Sequence, residues 1–169
     1  ADLRQRHIIS GRPDGTFDGA AAVNRAELAK FLLLAKGEEV LDLKNEEYFP
    51  DVLENEWYTK YVMRATALGI VNGYPDGHFR PAKTINTAEF LKMLTRTFDL
   101  PEIVDHTYWD VPENAWYERY AGHANRYNLF PNRSSEFLEP ERELTRNEVS
   151  VAIYQFLDKS GETFSAQNY

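Results

Sequence analysis

One unit is used three times in this chain, and that repetition constrains the fold more than any other feature of the sequence. The complete copy runs from Phe49 to Leu94. Moved back by 62 positions, Asp76, Gly77, Phe79, Ile85, Asn86 and Glu89 fall on Asp14, Gly15, Phe17, Val23, Asn24 and Glu27. Moved forward by 59, Asp51, Val52, Trp57, Tyr58, Pro81 and Glu89 fall on Asp110, Val111, Trp116, Tyr117, Pro140 and Glu148. A helix pair this short cannot bury both of its apolar faces alone, so the copies must share a core. The expected divisions are residues 1–43 for the first repeat and its connector, 44–103 for the second, 104–159 for the third and 160–169 for a polar tail.

The 169 residues are 43% hydrophobic and 14% aromatic, enough for one shared core. No apolar run approaches the ~20 residues that a membrane span needs. A net charge of −8 with no block of Lys or Arg argues against nucleic acid as a partner, because neutralising phosphates takes a basic face. Cysteine is absent, which removes disulfides and thiolate metal sites. The chain starts at Ala1, and the part of the first repeat equivalent to Phe49 through Val62 is missing, so it is expected to be a mature piece or a fragment of something longer.

Each unit predicts two helices joined by a turn, giving an all-α fold. Ala1 to Ile9 corresponds to the second half of a first helix, and Gly11 to Gly15 to the turn after it. A helix is expected from Asn24 to about Ala35, with Leu28, Phe31, Leu32 and Ala35 at helical spacing and Gly37 as its stop. Val40, Leu41 and Leu43 of the acidic connector are expected to pack on the bundle. In the second unit, Trp57 to Leu68 predicts a helix with Trp57, Tyr61, Ala65 and Leu68 on one face. The turn Gly73 to Gly77 follows, then a strand of two or three residues between Phe79 and Ile85, then a helix from Asn86 to about Thr97 burying Phe90, Met93, Leu94 and Phe98. The third unit predicts helices over Trp116–Tyr127 and from Thr145 to about Leu157, and its turn, Asn132 to Glu136, has lost both glycines and is expected to take another path.

The chemistry gathers at the start of each second helix. Asn24, Asn86 and Thr145, each followed three residues later by Glu27, Glu89 or Glu148, form capping boxes in which side chain and backbone satisfy each other reciprocally. Arg25 and Arg146 follow the cap directly. A cation there opposes the macrodipole, yet beside unpaired N–H groups it makes a local anion site, unless a nearby carboxylate takes it. Trp57 and Trp116 are either core residues or platforms for a sugar ring, and Asp76, like Asp14, shapes a turn with Gly73 and Gly77 beside it. Calcium through these turns is excluded, since an EF-hand-like loop centred on Gly15 would need Arg12 and Ala21 as ligands. His7, His78, His106 and His123 show no metal-ligand spacing, and no nucleophile or phosphate loop is present, so no metal, cofactor or catalytic residue is expected.

The ordered series Phe49, Asp51, Val52, Trp57, Ala65, Gly69, Ile70, Val71, Gly73, Tyr74, Asp76, Gly77, Phe79, Pro81 and Ile85-Asn86-Thr87-Ala88-Glu89-Phe90 resembles the S-layer homology repeat, and the resemblance runs from about Ala1 to Leu157. It implies three helix-loop-helix repeats in a pseudo-threefold, three-pronged spindle with a shared helical core. It also implies a secreted, non-catalytic bacterial cell-surface module that anchors an S-layer-type protein through an anionic secondary cell-wall polysaccharide, of the pyruvylated N-acetylmannosamine type, held in inter-repeat grooves. The family pattern places Arg25, Asp51, Trp57, Gly73, Asp76, Gly77, Asp110, Trp116 and Arg146 on glycan-binding positions. The working groove is expected to join Arg25 with Asp51, Trp57 and Gly73, while Thr87 replaces the arginine in the second repeat. The alternative is a structural assembly module of a surface lattice or appendage whose glycan sites have decayed, with self-assembly or a partner supplying the missing first-repeat helix.

Overall fold

The computed structural model describes residues 17–161. The half-helix expected over Ala1–Ile9, the first turn with Asp14, and the tail beyond residue 161 lie outside the described residues. Within them are five helices and no strand: α1 Arg25–Lys36, α2 Thr59–Ala67, α3 Thr87–Thr97, α4 Glu118–Tyr127 and α5 Arg146–Ser160. The strand expected between Phe79 and Ile85 is reduced to single bridges, because only one residue pair per segment comes into antiparallel contact: Asn24 with Thr84, Asn86 with Glu143 and Ala22 with Thr145. The last helix runs three residues further than its apolar pattern predicts and ends at Gly161, in the left-handed region at φ 72°.

The three capping boxes form as the sequence predicts. In each, the Asn24, Asn86 or Thr145 side chain accepts from the backbone N–H of its glutamate, and that glutamate accepts from the cap's own N–H. Each cap contributes about 1 kcal/mol. More consequential is how the segments around the caps join. Val23 N–H donates to the Leu144 carbonyl at 3.0 Å, Leu144 N–H to the Ile85 carbonyl at 2.9 Å, and Ile85 N–H to the Val23 carbonyl at 2.9 Å. These equivalent residues, one per repeat and all fully buried, close a three-membered ring of hydrogen bonds. The first helical N–H of each repeat also donates to its neighbour: Arg25 to Lys83, Thr87 to Arg142 and Arg146 to Ala21. Helix-start amides that would otherwise lack partners are thereby satisfied between repeats.

Helix packing follows from this exchange. α1 packs against α2, and α3 against α4, so each capped helix leans on the first helix of the next repeat; α1 also packs on α3, and α4 on α5. Leu28, Leu32, Phe79, Phe90, Leu94 and Phe156 are among the fully buried side chains of the single core. The face predicted for α2 is rotated, since Val62, Ala65 and Thr59 are buried whereas Trp57 and Leu68 are exposed. Both lie just outside the helix, at a loop and a terminus where helical periodicity no longer governs orientation. Of the connector residues Val40 packs against the core, while Leu41 stays exposed. No helix among the described residues is long and apolar enough to cross a membrane.

Candidate functional site

The repeat turns are built by two aspartates. Asp51 accepts from the Phe79 N–H at 2.8 Å and from the Arg80 N–H at 2.6 Å. Asp110 does the same 59 residues on, accepting from Leu138 at 2.8 Å and Glu139 at 2.7 Å. Arg80 and Glu139 both have positive φ, 60° and 54°, a region that a non-glycine residue occupies at a cost. The carboxylates hold those residues in place. Asp76 accepts from the His78 N–H at 3.1 Å and pairs with Arg80 at 2.7 Å, and these bonds keep its carboxyl below the usual range although it is half exposed. Gly77, at φ 82°, closes the turn.

Arg25 occupies the first helical position of α1 and is 8% exposed. Its Nε donates to the Phe79 carbonyl at 3.0 Å and one terminal nitrogen donates to the Asn72 carbonyl at 3.1 Å. The rings of Tyr74 and Phe79 lie 4.9 and 4.8 Å from its guanidinium carbon. Arg25 therefore belongs to one repeat and is clamped by the turn of the next. A groove of about 240 Å³ opens there, lined by Arg25, the Ile70–Pro75 turn, Glu89, Lys92, Met93 and Arg96 of α3, and Trp116. Gly73 is held without a side chain because a Cβ there would sit 2.7 Å from a Phe49 ring carbon. The structure thus brings Arg25, Gly73 and Trp116 together, whereas Trp57 is not part of this groove and Asp51 faces the turn amides.

Trp57 belongs to a neighbouring, equivalent arrangement. Lys30 Nζ lies 5.5 Å from the Trp57 ring centroid, as Lys92 Nζ lies 5.4 Å from that of Trp116. Arg146, at the first position of α5, donates to Glu27 at 2.8 Å, so the carboxylate partner that sequence reasoning left open for such an arginine is found here. Burial, then the nearby Arg146 and Lys60, push the Lys30 ammonium below its ordinary value, with Glu27 partly opposing. Burial, then Arg96 and Arg25, do the same to Lys92, with Glu89 opposing. Lys30 and Lys92 were not singled out from the sequence, yet their recurrence three residues after Glu27 and Glu89, at the 62-residue offset, is a visible signal.

The third arrangement differs in kind. Thr87 stands where the other repeats have arginine, and Arg133, from the turn that lost its glycines, fills the gap: it donates to the Thr87 hydroxyl at 2.9 Å, to the Leu138 carbonyl at 3.2 Å and to Glu148 at 2.8 Å. The Leu138 carbonyl is the counterpart of the Phe79 carbonyl that Arg25 uses. The third turn does take another path, for the Arg133 N–H donates back to Phe130 where the Tyr74 N–H donates forward to His78. The same register puts Val151 and Gln155 at the positions of Lys92 and Arg96. No group of His, Asp and Glu able to hold a metal ion occurs among the described residues.

Comparison with known proteins places the sequence in a family. Residues 1–29 and 48–91 match the family model of the S-layer homology domain. The cellulosome-anchoring protein of Acetivibrio thermocellus is 34% identical over 121 residues, 68% of this chain and 26% of that protein. S-layer protein EA1 of Bacillus anthracis is 27% identical over 175 residues, 99% of this chain and 19% of that protein. An amylopullulanase of Thermoanaerobacterium thermosulfurigenes is 27% identical over 170 residues, 94% of this chain and 9% of that protein. The chain thus spans about a quarter or less of the length of these relatives.

Proposed function

The chain belongs to the S-layer homology family, and on that premise we propose that it anchors a bacterial cell-surface protein by binding, without catalysis, an anionic secondary cell-wall polysaccharide in the Arg25 groove. One observation carries the reading. Arg25, Lys92 and Arg96 line a single groove on a chain of net charge −8, and none of the three makes an ion pair among the described residues. The groove's one carboxylate, Glu89, is held by Lys83 at 2.9 Å. Clustered cations without counter-ions destabilise one another, and a bound anion relieves that cost.

A pyruvylated N-acetylmannosamine residue suits the site. Its ketal carboxylate would meet the guanidinium nitrogen of Arg25 that neither Phe79 nor Asn72 occupies, in a partly desolvated position where charge-assisted bonds are strong. The Gly73 N–H has no protein acceptor among the described residues and can serve a second oxygen. The half-exposed Trp116 ring offers a flat apolar face to the pyranose. Calorimetric titration with the pyruvylated glycoside, beside the same sugar lacking pyruvate, tests this. Binding that requires the pyruvate and falls at least tenfold in Arg25→Ala is expected, from ~1.5–3 kcal/mol per charge-assisted bond; equal binding of both sugars would sink the assignment.

A second reading, a surface-assembly module, is favoured by two observations. Arg133 and Glu148 neutralise each other in the third arrangement, and Trp109 is 80% exposed. Pull-down by purified cell wall separates the readings, since an assembly module would not be retained.

A further inference from the structure

The three capping glutamates, equivalent in sequence and in their boxes, differ in what holds their second oxygen. Each uses Oε2 for the box, accepting from the cap's own N–H: Glu27 at 3.0 Å, Glu89 at 3.2 Å and Glu148 at 3.0 Å. Oε1 is left over. In Glu27 it accepts from Arg146, the arginine of its own groove, at 2.8 Å. In Glu148 it accepts from Arg133 at 2.8 Å, with Arg142 at 3.3 Å. In Glu89 it accepts from Lys83 at 2.9 Å, and Arg25 is left without a carboxylate among the described residues.

Between the first two repeats the difference follows from one position, whereas in the third Arg142 reaches Glu148 at 3.3 Å while Arg133 keeps its bond at 2.8 Å. Lys83 aligns with Ala21 in the first repeat and with Arg142 in the third. A methyl group cannot compete for Glu27, so that carboxylate goes to the groove arginine. Lys83 is well placed to compete: its carbonyl accepts from the Arg25 N–H at 2.9 Å and its own N–H donates to Arg80 at 3.1 Å, which fixes its backbone beside the groove. Burial alone would lower its pKa, but the hydrogen bond and charge of Glu89 outweigh burial and raise it. Lys83 is therefore held as a cation against the Glu89 carboxylate.

Resting on the anionic-glycan reading above, we propose that Lys83 is a positioning residue that draws Glu89 away from Arg25, so that the Arg25 groove is the one whose arginine meets an anionic sugar, while Glu27 masks Arg146 and Glu148 masks Arg133. The lysine sets the Arg25 groove apart from the Arg146 arrangement without contacting the ligand. Removing it turns the Arg25 groove into a copy of the Arg146 arrangement, and adding one at Ala21 does the reverse.

Titration of the chain with the pyruvylated N-acetylmannosamine glycoside tests this. The wild type is expected to bind one equivalent. Lys83→Ala should weaken binding about tenfold, the size of a lost charge-assisted contact. Lys83→Ala combined with Glu89→Gln should recover most of the loss, because glutamine still closes the box but cannot neutralise Arg25. Ala21→Lys should add a second equivalent. An unchanged affinity in folded Lys83→Ala, or no recovery in the double variant, overturns the role of Lys83 alone. A folded wild type that does not bind overturns this inference together with the function it rests on.

Discussion

Replacing Asp51 by alanine tests how the repeat turn is held, and the expected loss can be worked from its two hydrogen bonds. The Phe79 N–H belongs to a fully buried residue and would have no substitute acceptor, which costs about 1–3 kcal/mol. The Arg80 N–H is exposed and would return to water, so only the net worth of its charged bond, about 1.5 kcal/mol, is lost. Relaxation of Arg80 from its positive φ gives back part of this, roughly 1 kcal/mol. The sum is about 1.5–3.5 kcal/mol, or a fall in Tm of about 3–14 °C for a chain of this length. Urea denaturation followed by circular dichroism is the assay. Asp51→Asn, which keeps the acceptor for Phe79, should lose about half as much, and Asp110→Ala should match Asp51→Ala because Leu138 and Glu139 repeat the geometry. A loss under about 1 kcal/mol, or an Asn variant as unstable as the Ala variant, would refute the reasoning, since both depend on the stated hydrogen-bond cost.

Two further predictions concern charge. Lys92 has a folded pKa below its ordinary 10.5, so the unfolded chain binds its proton more tightly and wild-type stability gains as the pH rises through that lowered value toward 10.5. Lys92→Met should therefore melt higher than the wild type at pH 7, by an amount that shrinks toward pH 10.5, while it weakens glycoside binding; a lower melting temperature at pH 7 would contradict the account. For Glu148, burial acts to raise the pKa, but the Thr145 N–H and then Arg133 outweigh it and hold the group below 4.5. Its contribution is present above 4.5 and is lost as the pH falls through the folded value. Glu148→Gln should accordingly be less stable at pH 7, with the gap closing in acid unfolding curves below pH 4.5.

The helices and caps were legible because their causes are local. Asn86 and Glu89 are three residues apart, and that spacing alone specifies the box. Trp57 shows the limit of periodicity, since it precedes the first turn of α2 and so escapes the face that Val62 and Ala65 define. The groove was half legible. Arg25 and Gly73 are paired by the family resemblance, but Trp116 joins them because each capped helix packs on the first helix of the next repeat, a relation among segments far apart in the chain. Arg133 could not be found from sequence at all. It aligns with Tyr74, not with Arg25, and reaches the same carbonyl position only because its turn changes path.

The ring through Val23, Ile85 and Leu144 has a mechanical consequence. Val23 and Leu144 come from opposite ends of the described segment, and the Val23, Arg146 and Asn147 amides, bonded to Leu144, Ala21 and Gly19, tie those ends together. Tension applied between residues 19–23 and 144–147 therefore loads these bonds side by side instead of one after another, and they must rupture together before any repeat can be drawn out. An open stack of repeats peels from its end. A closed ring has no end to peel, so resistance to pulling is set by this junction and not by the weakest helix.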